Sequence, residues 1–285
     1  MSDTGMKVCA ITNVYNESFN LPVWIRHYTK QLGGGCCMVV DHGSDDGSTT
    51  NIDYNASVIR LPRSPFDDGK RANFITDLAR TLLREFDVVL YTDADELLIA
   101  DPRKFASLRE FLARDQRDFY TAYGLNLVHK ISVEDPYDAS RPILAQRRHV
   151  QFVAPMCKTL ICRKSIGWTG GFHGSTAPVS FGGLYLLHTR WMDVCQNLTR
   201  LHTTRSIEWA NEQRTHHKAE YPDTVRKFLN YDTWPVQEDA DFHFSNEVAA
   251  LTAGTEIIHR AYRLPQNVRP EIMFKLPGWF DAAIV

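Results

Sequence analysis

The sequence predicts an α/β fold, a mostly parallel sheet flanked by helices, with a helical C-terminal extension. Three observations predict it. Short apolar runs rich in β-branched residues alternate with helix-period stretches over residues 7–96, the pattern of parallel strands joined by crossover helices. Several runs stop abruptly at polar or acidic residues, as strands do where an open sheet presents its carboxyl ends to a ligand. From residue 192 to 228 the pattern turns helical and polar.

The first run, residues 7–13 (K-V-C-A-I-T-N), reads as a strand. A helix start follows, with Ser18 or Asn20 as cap and Pro22 in the first turn. Leu21, Trp24, Ile25 and Tyr28 recur at helical spacing and read as core; Gly33-Gly34-Gly35 ends the helix. Residues 36–41 (C-C-M-V-V-D) form a second strand, running into the turn-rich loop His42-Gly43-Ser44-Asp45-Asp46-Gly47-Ser48. Residues 57–61 form a third. The next helix opens at Asp67-Asp68-Gly69-Lys70-Arg71, so Lys70 and Arg71 sit near a helix N-terminus. Cations there oppose the macrodipole and make sense beside an anionic ligand; as solvated surface charge they need none.

The fourth strand, residues 88–91 (V-V-L-Y), delivers Asp93-Ala94-Asp95-Glu96. Three carboxylates in four positions repel one another and call for a cation. A divalent ion held by carboxylates and substrate phosphates is the simplest, which makes Asp93 and Asp95 a candidate metal–diphosphate platform. An acidic helix start is the alternative. Residues 102–112 read as a helix, 119–128 and 158–163 as strands, and 129–150 as an irregular charged loop near an acceptor. Two histidines stand at element ends beside aromatics: His173 in the glycine-rich stretch 168–175, and His188 after the strand 184–187. Each is also readable as a packed or hydrogen-bonded structural residue. His216 and His217 lie in a polar helical stretch. The tail 265–285 is apolar but broken by proline; packing across the domain is the commonest fate of such a segment, with partner docking or membrane contact as the others.

The 285 residues and 44% hydrophobic content suit one domain, residues 1–195, with the extension 196–285 packed on it. A formal charge of −2 offers no footprint for nucleic acid and no case for an anionic membrane. No stretch approaches the roughly 18 apolar residues of a membrane span. No basic region followed by an apolar core opens the chain, so a cytoplasmic protein with reduced thiols is expected. The six cysteines, Cys9, Cys36, Cys37, Cys157, Cys162 and Cys195, show no paired zinc spacing. The triplets at Asn16, Asn55 and Asn197 carry no weight without a secretory signal.

Four stretches in order resemble the GT-A-fold glycosyltransferases, the bacterial family-2-like group. They are Asn16-Glu17 with Leu21-Pro22-Val23-Trp24, then Asp41-His42-Gly43-Ser44-Asp45-Asp46-Gly47-Ser48, then Lys70-Arg71-Ala72-Asn73, then Asp93-Ala94-Asp95-Glu96. The likeness covers residues 7–100; beyond 100 it rests on Lys158, His173 and His188. It implies a Rossmann-like donor half (1–100) and an acceptor half (101–195). By that resemblance Thr12, Asn13, Asn16, Glu17 and Asp41 serve the base and ribose, and Lys70 or Arg71 the base or diphosphate. Asp93 approaches ribose and metal, Asp95 ligates the metal, and a distal histidine completes the site, His173 first and His188 second. His42 stands where many relatives carry Asp or Asn, so the base stays open, with uridine the default.

The resemblance implies transfer of a sugar, by a hexosyltransferase-type enzyme, from a nucleotide-sugar to a glycan or lipid-linked acceptor in surface polysaccharide synthesis. Peripheral contact with the inner membrane through 265–285 goes with that setting. Physical chemistry suits these roles. Mn²⁺ or Mg²⁺ would act as Lewis acid on the leaving diphosphate, with Arg71 or Lys158 adding preorganised charge. An inverting reaction also needs a general base, worth about 10²–10⁴-fold. Glu96 is the candidate, with Glu134, Asp135, Glu238 and Asp239 in later segments; as a structural acid Glu96 would cap the following turn. A sugar nucleotidyltransferase is the alternative enzyme, but residues 13–20 lack the glycine-rich loop it needs after the first strand. A non-catalytic nucleotide-binding module would not need the acids at 93, 95 and 96.

Overall fold

The computed structural model describes residues 5–50, 52, 56–210, 219–238, 241–281 and 283. Asn55, His216, His217 and Asp239 lie outside the described residues. The fold is α/β. Strands β1 (Val8–Val14), β2 (Cys37–Asp41), β3 (Ala56–Arg60) and β4 (Val88–Tyr91) lie in the order β4-β1-β2-β3, every pair parallel. Helices α1 (Asn20–Leu32) and α2 (Asp68–Leu82) are the crossovers. Because these strands run one way, Val14, Asp41 and Tyr91 end on one edge of the sheet, and the loops that leave them meet there.

The second half of the chain extends the same sheet with mixed directions. After β4 come β5 (Glu96–Ala100), α3 (Leu108–Arg114), β6 (Phe119–Val128), β7 (His149–Phe152), β8 (Thr159–Cys162), β9 (Gly174–Ser175) and β10 (Phe181–His188). Strand β8 bridges β4 and β6, antiparallel to both. Strand β10 runs parallel to β6 and antiparallel to β5. The segment after 195 is helical in α4 (Val194–Ser206), α5 (Tyr221–Thr233) and, after β11 (Val236–Glu238), in α6 (Ser245–Ala253). It then supplies β12 (Glu256–Ile258), β13 (Ala261–Arg263) and β14 (Met273–Lys275). Strands β11 and β14 join the edge of the large sheet through β7, and β12 and β13 build a small second sheet with β9.

Two elements differ from their sequence reading. The helix expected over 102–112 starts later, at Leu108. Ser107 is its cap, accepting from Glu110 N, while the Glu110 side chain accepts from Ala106 N, a reciprocal arrangement that sets the boundary. Glu96 caps no following turn; its side chain accepts from Asp93 N in the turn before it. It begins β5, whose five residues are all buried.

The core gathers on α1 and the parallel strands. Trp24 and Tyr28 are fully buried, each worth roughly 1.5–3 kcal/mol of apolar burial. Their polar ends are spent on the acid-bearing turn: Trp24 Nε1 donates to Thr92 Oγ1 at 2.7 Å, and Tyr28 Oη bonds Glu96 O and Leu98 N at 3.2 and 3.0 Å. The tail packs on the domain, with Phe274, Leu276, Phe280 and Ala283 in the main core and Trp279 stacked on Phe280. Among the described residues no helix is long and apolar enough to cross a membrane.

Candidate functional site

Register brings the charged residues together. Strand β8 pairs with β4 so that Leu90 faces Ile161, which carries Lys158, just before β8, up to the Asp93 end of β4. Strand β10 pairs with β5 so that its last residue, His188, faces Glu96, the first of β5, and Thr189 N donates to Asp95 O at 2.8 Å. Residues 158 and 188, far apart in sequence from the acids, thereby arrive beside them.

Asp93 is held by protein cations. Its Oδ1 accepts from Arg71 Nη1 at 3.0 Å and from Tyr91 Oη at 2.7 Å, and Lys158 Nζ lies 3.8 Å from its Oδ2. Burial opposes its charge, but Arg71 and then Lys158 outweigh that and lower its pKa. Arg71 also pairs with Asp68 at 3.2 Å, and its guanidinium carbon lies 5.2 Å from the Phe66 ring centre and 5.1 Å from that of Phe172. Its buried Nε has no partner among the described residues.

Glu96 is 1% exposed. Its Oε1 is 2.5 Å from Lys158 Nζ, and its Oε2 accepts from Asp93 N at 3.3 Å. So enclosed, the candidate general base is engaged with the Lys158 ammonium and the Asp93 backbone. Burial disfavours the Lys158 charge, yet Glu96 and Asp93 raise its pKa and keep it protonated.

Asp95 points elsewhere. Its Oδ2 lies 3.3 Å from His188 Nε2, and His188 Nδ1 is 2.8 Å from Asn126 Oδ1. Burial works against its ionisation, but His188, then Arg190 and Arg200, hold its carboxyl well below the usual carboxylate range. An aspartate and an imidazole whose other nitrogen is engaged by an amide oxygen are a donor set that fits a divalent ion keeping water or phosphate oxygens in its remaining positions. Asp93 is engaged with Arg71 and Lys158 instead of with His188. His173, the first-choice ligand in the sequence, is exposed and directs Nδ1 to Pro155 O at 2.8 Å, with no ion pair to Asp93 or Asp95. The second choice, His188, is the histidine at Asp95. Among the described residues no group of three or more His, Cys, Asp or Glu is arranged to hold a metal.

A cavity of about 300 Å³ opens beside Arg71, lined by Asn13, His42, Pro65, Phe66, Lys70 and Phe74 among others, and is mostly apolar. Arg63 donates to His42 Nδ1 at 3.0 Å, so His42 Nε2 carries the hydrogen toward Ser64 Oγ, also at 3.0 Å. Burial first, then Arg63 and Lys70, lower the His42 pKa and favour that neutral form. Of the residues expected to bind the donor, Asn13, Lys70 and Arg71 line this cavity.

The other expected donor residues do structural work or sit in a second pocket. Asp41 is fully buried and organises its own loop, accepting from Ser44 N and Thr49 Oγ1 and pairing with Arg60. Gly43 is needed in that loop: its φ is +76°, and a Cβ would lie 3.0 Å from Arg63. Asn16, at φ +50°, exchanges two hydrogen bonds with Asp45 and so ties the first loop to the second. Glu17 pairs with Arg200 of α4 at 2.9 Å and accepts from Asn20. Thr12 is buried, and its Oγ1 has no partner among the described residues. Asn16, Glu17, Asp95, Arg190 and Arg200 line the second, smaller pocket of about 80 Å³.

Sequence reasoning missed the segment from Leu61 to Phe66 that walls the larger cavity, although its two prolines mark a rigid connection. It is held in place by residues after 195: Phe66 N donates to Glu208 O, Ala210 N donates to Phe66 O, and Phe66 packs edge-on against Trp209.

No protein-family model matches the sequence, and no curated protein matches it. Among solved structures the chain is similar to S. aureus TarS 1–349, at 16% identity and a TM-score of 0.39, over 79% of this chain and 71% of that one. It is similar to a cytidylyltransferase from Leptospira borgpetersenii serovar Hardjo-bovis, at 14% identity and a TM-score of 0.28, over 41% of this chain and 54% of that one. A third similarity is to the bifunctional glycosyltransferase WbbM in its apo form, at 14% identity and a TM-score of 0.29, over 43% of this chain and 24% of that one.

Proposed function

We propose that the protein is a metal-assisted glycosyltransferase that takes a sugar from a nucleoside-diphosphate donor. The observation that supports this best is the run of contacts along the carboxyl edge of the parallel strands. A mostly apolar cavity is lined by Arg71, Arg71 pairs with Asp93 at 3.0 Å, and two residues on Asp95 meets His188. That order matches a nucleoside, its diphosphate and a cation.

In this reading Phe66 and Phe74 receive the base, and Lys70 and Arg71 face the phosphates. Asp95 and His188 would hold Mn²⁺ or Mg²⁺, which supplies Lewis-acid neutralisation of the departing diphosphate. Lys158, kept charged and fixed by Glu96, sets the position of Asp93, and Arg71 is braced by Asp68, so neither cation reorganises as charge develops. A uridine donor, a glycan or lipid-linked acceptor and a role in surface polysaccharide synthesis are the working expectations.

The test is a calorimetric titration of UDP with and without Mn²⁺, using wild type and Asp95→Ala. Binding that needs Mn²⁺ and is lost in Asp95→Ala supports the reading. If UDP, GDP, CDP and dTDP all fail to bind, the proposal is wrong.

A further inference from the structure

On the Asp95 side of the site two cations, Arg190 and Lys227, face one indole, and a third, Arg269, carries its charge near Lys227. Arg190 follows β10, with its guanidinium carbon 5.6 Å from the Trp191 ring centre, and Lys227 of α5 places Nζ 4.1 Å from the same centre. The charges Lys227 senses are those of Arg190 and Arg269, both of its own sign. Among the described residues, no carboxylate stands within ion-pair distance of Arg190, Lys227 or Arg269. Arg200 is different, being spent on Glu17 at 2.9 Å. A ring face attracts a cation but neutralises nothing.

Arg190 has Asp95 as its main opposite charge; Lys227 and Arg269 have no carboxylate within ion-pair distance among the described residues, and like charges so placed call for an anionic ligand. None of the three lines the nucleoside cavity, whereas Arg190 lines the smaller pocket together with Asp95. We propose that Arg190, Lys227 and Arg269, with the Trp191 ring, form a subsite for a phosphate group carried by the sugar acceptor. This rests on the transferase reading above and adds to it the chemical class of the acceptor. Trp191 is half-buried and packed edge-on against Phe228 and Tyr231, which fixes the ring that holds Arg190 and Lys227. The same phosphate chemistry could come from the donor's own diphosphate, so the experiment separates the two.

Glucose 6-phosphate and glucose are titrated by calorimetry into protein saturated with UDP and Mn²⁺, for wild type and for Lys227→Gln/Arg269→Gln. Both substituted side chains are exposed, so the fold is kept. The expected result is saturable binding of glucose 6-phosphate, about tenfold or more tighter than glucose and weakened about tenfold or more in the double variant, with UDP affinity unchanged. Two results overturn the proposal: UDP blocks the phosphate probe, or the double variant loses UDP affinity instead, which would give the cations to the donor. If no nucleotide binds at all, the transferase reading falls, and the probe titrated into nucleotide-free protein still decides the subsite. Saturable binding lost in the double variant supports it, and no binding overturns it.

Discussion

His188 Nε2 stands 3.3 Å from Asp95 Oδ2 while the other ring nitrogen faces Asn126 Oδ1 at 2.8 Å. The amide oxygen only accepts, so Nδ1 carries a hydrogen. Nε2 then meets the carboxylate either as a second N–H, in a direct ion pair, or as a lone pair. Two lone pairs facing each other require a cation between them, so the neutral ring goes with a bound divalent ion. His188→Ala should weaken Mn²⁺-dependent UDP binding on the order of 100-fold or more, whereas Asn126→Ala, which keeps both ligands but releases the ring, should cost about 10–100-fold. Calorimetry with Mn²⁺ as the varied component reads both. Wild-type Mn²⁺ dependence in His188→Ala would remove the metal from this pair.

The Lys158–Glu96 contact makes a contrasting prediction. A general base at 96 would give a Glu96→Gln variant of wild-type stability with activity down by about 10²–10⁴-fold. The enclosed ion pair predicts that stability moves instead. Lys158→Met leaves Glu96 as an unpaired buried charge and should cost about 3–5 kcal/mol in urea unfolding. Adding Glu96→Gln to Lys158→Met removes that charge and should recover much of the loss. If the double variant is no more stable than Lys158→Met, the two residues are not coupled as a pair.

Much of this was legible in the residues. Strands over 88–91 and 119–128, and the N-terminus of α2 at Asp67, follow from apolar runs and turn chemistry that are local in sequence. What was not legible depends on pairing register, which is non-local. Nothing near Lys158 says that β8 lies antiparallel to β4, and nothing near His188 says that β10 ends beside Glu96. His173 and His188 were two similar local patterns, and it is register that brings His188 beside Asp95. The same holds for the compensation of the acids. Three carboxylates in four positions do need positive charge, and much of it comes from the protein: Arg71 and Lys158 for Asp93 and Glu96, and His188, Arg190 and Arg200 for Asp95. Asp41 was ambiguous for another reason: an Asp before a glycine turn can face a ligand or brace its own loop, and two of its partners, Thr49 and Arg60, lie far enough along the chain that sequence does not show the bracing.

His27 gives the fold a pH dependence. It is fully buried on α1, its Nε2 bonded to Leu98 O at 2.9 Å and its Nδ1 without a partner among the described residues. Burial pulls its pKa down to about 4, the Leu98 contact opposing and Lys30 adding. The unfolded chain, near pH 6.5, takes up the proton first, so this contribution is full above pH 6.5 and is lost as pH falls toward about 4. The shift corresponds to about 3 kcal/mol over that window. His27→Gln, which can still donate to Leu98 O, should flatten the fall in Tm between pH 7 and 4.5. An unchanged slope would place the acid sensitivity elsewhere.

Arg71 joins the cavity to the acids, and its geometry needs a guanidinium. One nitrogen meets Asp93 at 3.0 Å, another meets Asp68 at 3.2 Å, and the guanidinium carbon lies 5.2 and 5.1 Å from the ring centres of Phe66 and Phe172. A lysine keeps the charge but has no fork to span two carboxylates and no plane to stack. Arg71→Lys should therefore weaken UDP binding about 10–100-fold, or about 1.4–2.8 kcal/mol. Lys70→Ala, whose side chain is exposed at the rim, should change it only a few-fold, as expected for a screened surface charge. Since Arg71 also holds Asp93, unfolding by urea must be measured beside the titration. A loss of UDP affinity with the unfolding midpoint kept assigns Arg71 to the ligand. A fall in midpoint with UDP affinity kept assigns it to the fold alone.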